Sequence, residues 1–346
     1  MILVSWNDEE NLRAAVSSLA LARARVPGGG PRTSLLVVDN GGGLRDRAGV
    51  FAPWPDAVLF VNESNRGFGP AANQAAETAR GDVLLFVNPD ARAEGEVFSE
   101  IAKAFDAHSE AAAVAPKLLD FDEPGSQSKT QNPKSKPPPS LSPPDREDQF
   151  TFQLRRLPSL ANDARELLLL DHVAPDNPGR RRFRYADRDR GEPFEIEQAA
   201  AAALAVRRDV FRLLGGFDRR FVPAWFEDVD FCARLSRRGK ILYWPSARFR
   251  HRGGLSSRAL GYPRFLPIYY RNALLYRRLH YGPLARFLYR PLLVAGMLLR
   301  LAALPFRPRV PRPRRESARA YLATLALALG FSSTRNSQIT THNSHD

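Results

Sequence analysis

The sequence predicts an α/β protein: a mostly parallel sheet with helices on both faces, followed by basic amphipathic helices. Two observations predict the sheet. Short apolar runs bounded by polar, Gly or Pro residues recur at 2–4, 34–38, 58–61 and 83–87, and stretches of helical spacing lie between them. That alternation is the mark of parallel strands joined by crossover helices. A third observation predicts the extension. Residues 263–320 hold thirteen Arg, no Lys and one Glu, a local charge of +12 in a 346-residue chain whose net charge is +14.

Taken in order, residues 9–24 put Leu12, Val16 and Leu19 on one helical face, after an Asn7-Asp8 start suited to capping. Residues 70–79 and 94–107 carry the same period. Residues 123–145 contain seven Pro, five Ser and three of the six Lys, which predicts a mobile insert. Beyond it, Leu167-Leu168-Leu169-Leu170 suggests a helix and Arg180-Arg181-Arg182 a solvated turn. Ile196–Val206 reads as an Ala-rich strand, and 207–214 as a short helix stopped by Gly215-Gly216. A helix from Glu227 to Gly239 shows Val229, Cys232 and Leu235 on its apolar face. Residues 240–244 and 247–251 read as strands around Pro245, and 331–346 as a disordered polar tail. The expected units are therefore 1–122, an insert at 123–148, 149–262, a basic helical segment at 263–330, and the tail.

Apolar residues make up 44% of the chain, enough for a sizeable core, and Cys232 is the single cysteine, so no internal disulfide can form. A reducing compartment fits that usage. The first residues lack a basic stretch followed by a long apolar one, so no signal peptide is expected. The chain opens almost inside a strand, as one lacking a few N-terminal residues would. The uncharged runs at 291–299 and 320–334 fall short of the roughly 18 apolar residues a membrane span needs. Attachment to an anionic membrane surface is the expectation, and nucleic acid is not an expected partner. The plainer alternative is an Arg-rich solvated face, since Arg outnumbers Lys 45 to 6.

In an open parallel sheet, ligands bind beyond the carboxyl ends of the strands. The residues there are Ser5-Trp6-Asn7, Asp39-Asn40-Gly41, Asn65-Arg66-Gly67-Phe68-Gly69-Pro70 leading to Asn73, and Asn88-Pro89-Asp90. Asp39 is placed to accept hydrogen bonds from a base or ribose. Asp90 supplies the carboxylate oxygen that Mg²⁺ or Mn²⁺ prefers. Each of these residues alone is equally a turn former. A dinucleotide-binding glycine fingerprint is excluded, because Trp6-Asn7-Asp8 occupies its position and Gly28-Gly29-Gly30 lies at the opposite edge. A second constellation is Trp225-Phe226-Glu227-Asp228-Val229-Asp230. Acids in a first helical turn favour the dipole, but a carboxylate held among aromatics also gains basicity. Among the six histidines, His251 alone ends a strand that reaches the same edge as Asp90.

The ordered series Val4-Ser5-Trp6-Asn7, Val37-Val38-Asp39-Asn40, Asn65-Arg66-Gly67-Phe68, Asn73, Gly81-Asp82 with Phe86-Val87-Asn88-Pro89-Asp90, Gly215-Gly216-Phe217-Asp218, Glu227-Asp228-Val229-Asp230 and His251-Arg252-Gly253-Gly254-Leu255-Ser256 resembles the family 2 glycosyltransferases, most closely their rhamnosyltransferase branch. The resemblance runs from residue 2 to about 280. It implies a GT-A fold and an inverting transfer of a sugar, rhamnose from dTDP-rhamnose as first expectation, from a nucleoside diphosphate sugar to a glycan or polyprenyl-linked acceptor in cell-surface polysaccharide synthesis. It implies a cytoplasmic protein, peripheral at the inner face of the cell membrane, that uses a divalent cation, Mg or Mn. Asn7, Asp39, Asn65, Gly67, Asn73, Asn88 and Asp90 would bind the nucleotide sugar. Asp90 and His251 would hold the metal, Asp228 would be the base, and Trp225 and Glu227 would lie on the acceptor side. Three departures stand out. The family's paired-acid motif reads Asn88-Pro89-Asp90, a small-residue segment usually carrying Gly is Ala199-Ala200-Ala201-Ala202, and the 123–145 insert has no family counterpart.

Two rival readings explain less. A glycoside hydrolase needs two carboxylates flanking the scissile bond and gives no reason for the strand-end set. A non-catalytic basic membrane- or nucleic-acid-binding module leaves Asp39, Asp90 and Asp228 unexplained.

Overall fold

The four early apolar runs form strands of one sheet in the computed structural model, which describes residues 1–28, 30–121, 149–253, 260–306 and 312–331. The expected insert, the expected tail apart from Phe331, and Gly254, Leu255 and Ser256 lie outside the described residues. The first half of the chain runs β1 (Ile2–Ser5), α1 (Glu9–Ala24), β2 (Leu36–Asn40), α2 (Arg47–Phe51), β3 (Val58–Asn62), α3 (Phe68–Thr78), β4 (Val83–Val87), β5 (Ala91–Glu94), α4 (Val97–Ala107) and β6 (Ala111–Leu119). The second half opens with α5 (Phe150–Gln153), β7 (Leu154–Arg155), α6 (Leu160–Leu167), α7 (Leu170–Val173) and α8 (Pro178–Phe183). Then come β8 (Phe194–Ile196), β9 (Gln198–Ala199), β10 (Ala203–Arg207), α9 (Arg208–Leu213), α10 (Glu227–Leu235) and β11 (Lys240–His251), followed by three long helices, α12 (Tyr262–His280), α13 (Pro283–Ala303) and α14 (Arg314–Leu329).

The strand order is β3-β2-β1-β4-β10-β6-β11-β5, with β8 on β11 as the ninth strand. Strands β3, β2, β1 and β4 are mutually parallel, as are β6 and β11. Strand β10 enters antiparallel between β4 and β6, and β5 and β8 pair antiparallel with β11. The sheet is thus mixed on one side of β4. One apolar layer, with Phe86, Leu204, Phe217 and Phe231, covers one face; another, with Leu12, Val16, Val37 and Phe98, covers the other. Strand β2 is buried throughout, whereas the edge strand β3 exposes Val58 and Val61, as inner and edge strands should.

Three elements differ from the sequence reading. Strand β6 begins Ala111-Ala112-Ala113, weak strand formers, yet it lies fully between β10 and β11, where packing outweighs propensity. The expected strand 196–206 is broken into β8, β9 and β10. The two expected strands around Pro245 are one, and the register against β6 shifts between Trp244 and Arg248, where proline offers no donor to the ladder.

The C-terminal helices are less amphipathic surface than expected. Leu266, Tyr270, Tyr276, Tyr289, Leu293 and Met297 are buried and pack on Phe226 and Val229, so the helices close over the start of α10. Several arginines also turn inward. Arg277 is 5% exposed and forms an ion pair with Asp163, to which Tyr281 also donates at 2.5 Å. Arg300 donates to the carbonyls of Leu167 and Glu166. Among the described residues, one helix, Pro283–Phe306, is long and apolar enough to cross a membrane by length and composition, with mean hydropathy 1.6.

Candidate functional site

A cavity of about 990 Å³ opens at the carboxyl ends of β1, β2 and β4 and extends under α10 and α12. Its wall includes Trp6, Asn40, Asn65, Asn88, Asp90 and His251 at the strand ends, and Trp225, Glu227 and Asp228 beyond. Seven of the expected site residues therefore share one cavity: Asn65, Asn88, Asp90, Trp225, Glu227, Asp228 and His251.

The four other expected nucleotide-binding residues are not among those lining the cavity. The amide nitrogen of Asn73 donates to the Phe217 carbonyl at 2.8 Å and its oxygen accepts from the Phe217 amide at 2.9 Å. Both halves of the side chain are spent clamping the Gly215-Gly216-Phe217 turn, and it does not line the cavity. Asp39 is 2% exposed, with its carboxylate oxygens on the amides of Gly43 and Leu44; it shapes the loop after β2, the turn-former role. Asn7 is exposed in the left-handed region at φ 51, while its neighbours Trp6 and Asp8 face the cavity. Gly67 contributes backbone. At φ 89 it starts α3, and a Cβ there would stand 2.9 Å from the Pro223 carbonyl oxygen, so a side chain fits neither the torsion nor the space. Asn40, named in the sequence only as a strand-end amide, ties this edge together by donating to Asn65 at 3.0 Å and accepting from Asn62 and Arg66.

Asp90 and His251 meet because β5 pairs with the end of β11, with Ala91 opposite His251. Asp90 Oδ1 lies 3.3 Å from His251 Nε2, and its Oδ2 accepts from the Gly253 amide at 3.1 Å. Burial acts to raise the Asp90 pKa, but the hydrogen bond and charge of His251, with backbone amides, hold it below its ordinary value. Gln149 orients the histidine. Its amide nitrogen donates to the Asp120 carboxylate (2.6 Å) and to the His251 carbonyl (2.5 Å), both pure acceptors. Its oxygen must therefore be the atom facing His251 Nδ1 at 2.8 Å, which makes Nδ1 the donor in that bond. With Nδ1 so occupied, Nε2 is the nitrogen left facing the carboxylate, and an imidazole nitrogen beside a carboxylate oxygen is a donor pair that a divalent cation accepts. Cis ligands in an octahedral shell with bonds of roughly 2.1 Å lie about 3 Å apart, so the pair fits two corners of a Mn²⁺ or Mg²⁺ site. Among the described residues no group of three His, Cys, Asp or Glu side chains gathers, which leaves the other corners to ligand oxygens and water.

The second half of the site is the first turn of α10. Trp225 and Phe226 precede it with φ 73 each, in the left-handed region that bulky residues avoid. Asn272 of α12, 1% exposed, holds this strained turn by donating to the carbonyls of Ala224 (2.9 Å) and Trp225 (3.0 Å). Asp228 accepts from the Val229 amide at 2.8 Å and the Ala201 amide at 3.3 Å, and Ala202 in turn accepts from the Asn88 amide at 2.9 Å. The carboxylate is thus two short links from the Asp90 strand end. Asp230 is structural, bonded to Arg234 and to His280 at 2.7 Å. Glu227 is 6% exposed, and its Oε2 has no partner among the described residues. Burial and the neighbouring Asp228 charge push its pKa well up. Burial also raises Asp228, but the Ala201 and Val229 amides and Arg155 oppose the shift. Burial thus pushes both carboxyls up, and Asp228 is the one whose rise the Ala201 and Val229 amides and Arg155 oppose. Gln149 and Asn272 carried no readable signal in the sequence, since an amide side chain far from its partner in the chain looks like any surface residue, whereas Asn40 stood out as a strand-end amide but not as a tie to Asn62 and Asn65.

Comparison with known proteins bears on the family and the fold. The family model described as glycosyl transferase family 2 matches residues 1–184. The N-acetylglucosaminyl-diphospho-decaprenol L-rhamnosyltransferase of Mycobacterium tuberculosis is 26% identical over 265 residues, covering 72% of this chain and 75% of that protein. Among solved structures, GalNAc-T7 with UDP, GalNAc and Mn²⁺ superposes with a TM-score of 0.51 at 15% identity, over 79% of this chain and 47% of that one. TarS of S. aureus gives a TM-score of 0.47 at 14% identity, over 87% of this chain. The chain spans 43% of the length of TarS and 47% of GalNAc-T7. The fold, which the chain has in common with GalNAc-T7, is GT-A.

Proposed function

The chain belongs to glycosyl transferase family 2, and from that premise we propose that it moves a sugar from a nucleoside diphosphate to an acceptor hydroxyl, with a divalent cation and inversion at the anomeric carbon. The observation that carries this reading is the junction in one cavity of the Asp90–His251 pair with Asp228, whose carboxylate two backbone amides fix. Asp228 takes the proton from the attacking hydroxyl, as a base held by two backbone amides in a fixed direction. One base and no carboxylate nucleophile make a single displacement, which inverts. Asp90 and His251 hold the cation, with Gln149 fixing the imidazole. When bound, the cation offsets the negative charge that grows on the departing diphosphate. Asn40, Asn65 and Asn88 frame the nucleotide end of the cavity, and Trp225 the acceptor end.

Rhamnose from dTDP-rhamnose is the proposed donor, and a polyprenyl diphosphate-linked glycan of the cell surface the proposed acceptor, on the printed activity of the mycobacterial relative. The Mn²⁺ of GalNAc-T7 supports the cation. A lipid-linked acceptor requires work at a membrane. The exposed side chains Leu284, Phe287, Leu288, Leu298, Leu299 and Phe306 of the α13 region support a peripheral contact at the inner face. Thermal stabilisation by dTDP or UDP tests the reading: the melting temperature should rise with nucleotide plus Mn²⁺ and rise less with nucleotide plus chelator. No shift with either nucleotide would count against a sugar-nucleotide site.

A further inference from the structure

The cavity continues past Asp228 to a wall built by β7 and by α6 to α8, a part that the donor and base assignments leave unused. Besides Arg165 of α6, which Asp171 takes, three arginines line it: Arg155 on β7, Arg180 in α8 and Arg184 at its end. Two of the three acids on this wall are committed, and Glu166 is the third, without an ion pair among the described residues. Asp171 is bonded to Arg165 at 2.7 Å and to Asn177 at 2.8 Å, and Asp163 belongs to Arg277 and Tyr281. Among the described residues none of the three arginines is ion-paired, and the Nε atoms of Arg155 and Arg184 are buried without any hydrogen-bond partner. A buried guanidinium N–H with no acceptor is costly, and three like charges on one wall repel one another. Consistently, burial and then the charges of Arg180 and Arg155 lower the pKa of Arg184.

We propose that Arg155, Arg180 and Arg184 form an anion subsite that takes the phosphoryl group of a lipid-linked acceptor. The proposal rests on the glycosyltransferase reading and adds the chemistry by which the acceptor is held. A phosphate or diphosphate supplies the missing acceptors and cancels the repulsion, and the planar guanidinium fork suits phosphoryl oxygens. Two observations favour the acceptor over the donor as its source. The donor's diphosphate has its own place at the Asp90–His251 strand end, whereas the arginines sit on the far lobe. That lobe is knitted to α13: a Cβ on Gly296 would stand 3.0 Å from Leu167 of α6, and Arg300 donates to the Leu167 and Glu166 carbonyls. The anion site thus adjoins the helix whose outer face is apolar, as an anion carried on a lipid requires. Arg155 also lies close enough to Asp228 for its charge to favour the ionised carboxylate, which places the held phosphoryl group near the base.

The test uses the full chain and two titrations. The first measures a short-chain prenyl diphosphate, with the matching prenyl alcohol as control, against wild type and the Arg184→Ala, Arg155→Ala, Arg155→Lys and Arg184→Lys variants. The second measures dTDP and UDP with Mn²⁺ on the same proteins. The expected result is a loss of prenyl diphosphate affinity of about tenfold or more for each Ala variant, a smaller loss for each Lys variant, and nucleotide affinity within about twofold of wild type. Unchanged prenyl diphosphate binding in the Arg155→Ala/Arg184→Ala double variant would overturn the proposal. Equal loss in the nucleotide titration would reassign the arginines to the donor, and equal wild-type affinity for the alcohol would show apolar capture alone. If wild type binds the prenyl diphosphate as expected but neither nucleotide, the subsite stands and the donor reading fails.

Discussion

Glu227 and Asp228 are neighbours in sequence with different assignments, and what separates them is their surroundings. Asp228 has two amides and a nearby arginine on its side, while Glu227 has an unpartnered oxygen in a closed pocket. Asp228→Asn keeps the shape and removes the proton acceptor, so turnover should fall by about two orders of magnitude or more with donor binding nearly intact, read as kcat against nucleotide affinity. Near-wild-type turnover would move the base elsewhere. The raised pKa of Glu227 has a stability consequence whose sign is fixed. A carboxyl whose folded pKa lies above its unfolded value, about 4.3, favours the fold below that value, and the contribution is lost as pH rises through the folded pKa. Glu227→Gln should therefore gain on wild type in melting temperature between pH 4 and 8, with the difference growing as pH rises. A constant difference would mean that Glu227 is ionised in the fold. The sequence made Asp90, His251, Glu227 and Asp228 legible because their types and order are tied to chemistry. It did not show the clamp that Asn73 makes on the Phe217 backbone 144 residues away, since no local pattern marks one.

The elements that present these residues are held by contacts as remote as their positions in the chain. The turn before α10 has two bulky residues at φ 73, a conformation that costs on the order of 1–3 kcal/mol each, and Asn272 holds it from α12. Asn272→Ala leaves buried carbonyls without their donor, so unfolding stability should drop by about 1–3 kcal/mol in denaturant titration, and turnover should drop with it as Trp225 and Asp228 lose their fixed places. A stability loss without any change in turnover would detach the turn from the chemistry. The parallel half of the sheet was readable from its apolar runs, whereas β6 was not: its alanines carry no strand signal, and it is a strand because β10 and β11 flank it. The expected strand pair around Pro245 failed in the other direction, since a bulge absorbs the proline within one strand.

For the molecule as a whole, charge segregation suggested a C-terminal surface for membranes, and the structure narrows which side chains remain for it. Arg277 and Arg300 are internal, as are Tyr270 and Tyr276, because α12 to α14 also close the core over α10. Composition reports how many apolar and basic residues a segment has, but not which of them a neighbouring lobe will take. Phe287 at 73% and Phe306 at 85% exposure are the side chains best placed to enter a headgroup layer, with Arg286 and Arg290 exposed beside them. Phe287→Ser with Phe306→Ser should reduce sedimentation with anionic vesicles by about tenfold or more, while wild-type binding rises with anionic lipid and falls with salt. Wild-type levels of binding by the double variant would put the contact on another face.

The central claim is that this cavity transfers a sugar with a cation held by Asp90 and His251. The most direct measurement is release of nucleoside diphosphate from a panel of sugar nucleotides, dTDP-rhamnose first, with Mn²⁺ or Mg²⁺ and then with chelator, for wild type and Asp90→Ala. Cation-dependent release by wild type, abolished by chelator and largely lost in a folded Asp90→Ala, is the predicted result. Turnover that chelator leaves untouched, or that Asp90→Ala retains, would contradict it.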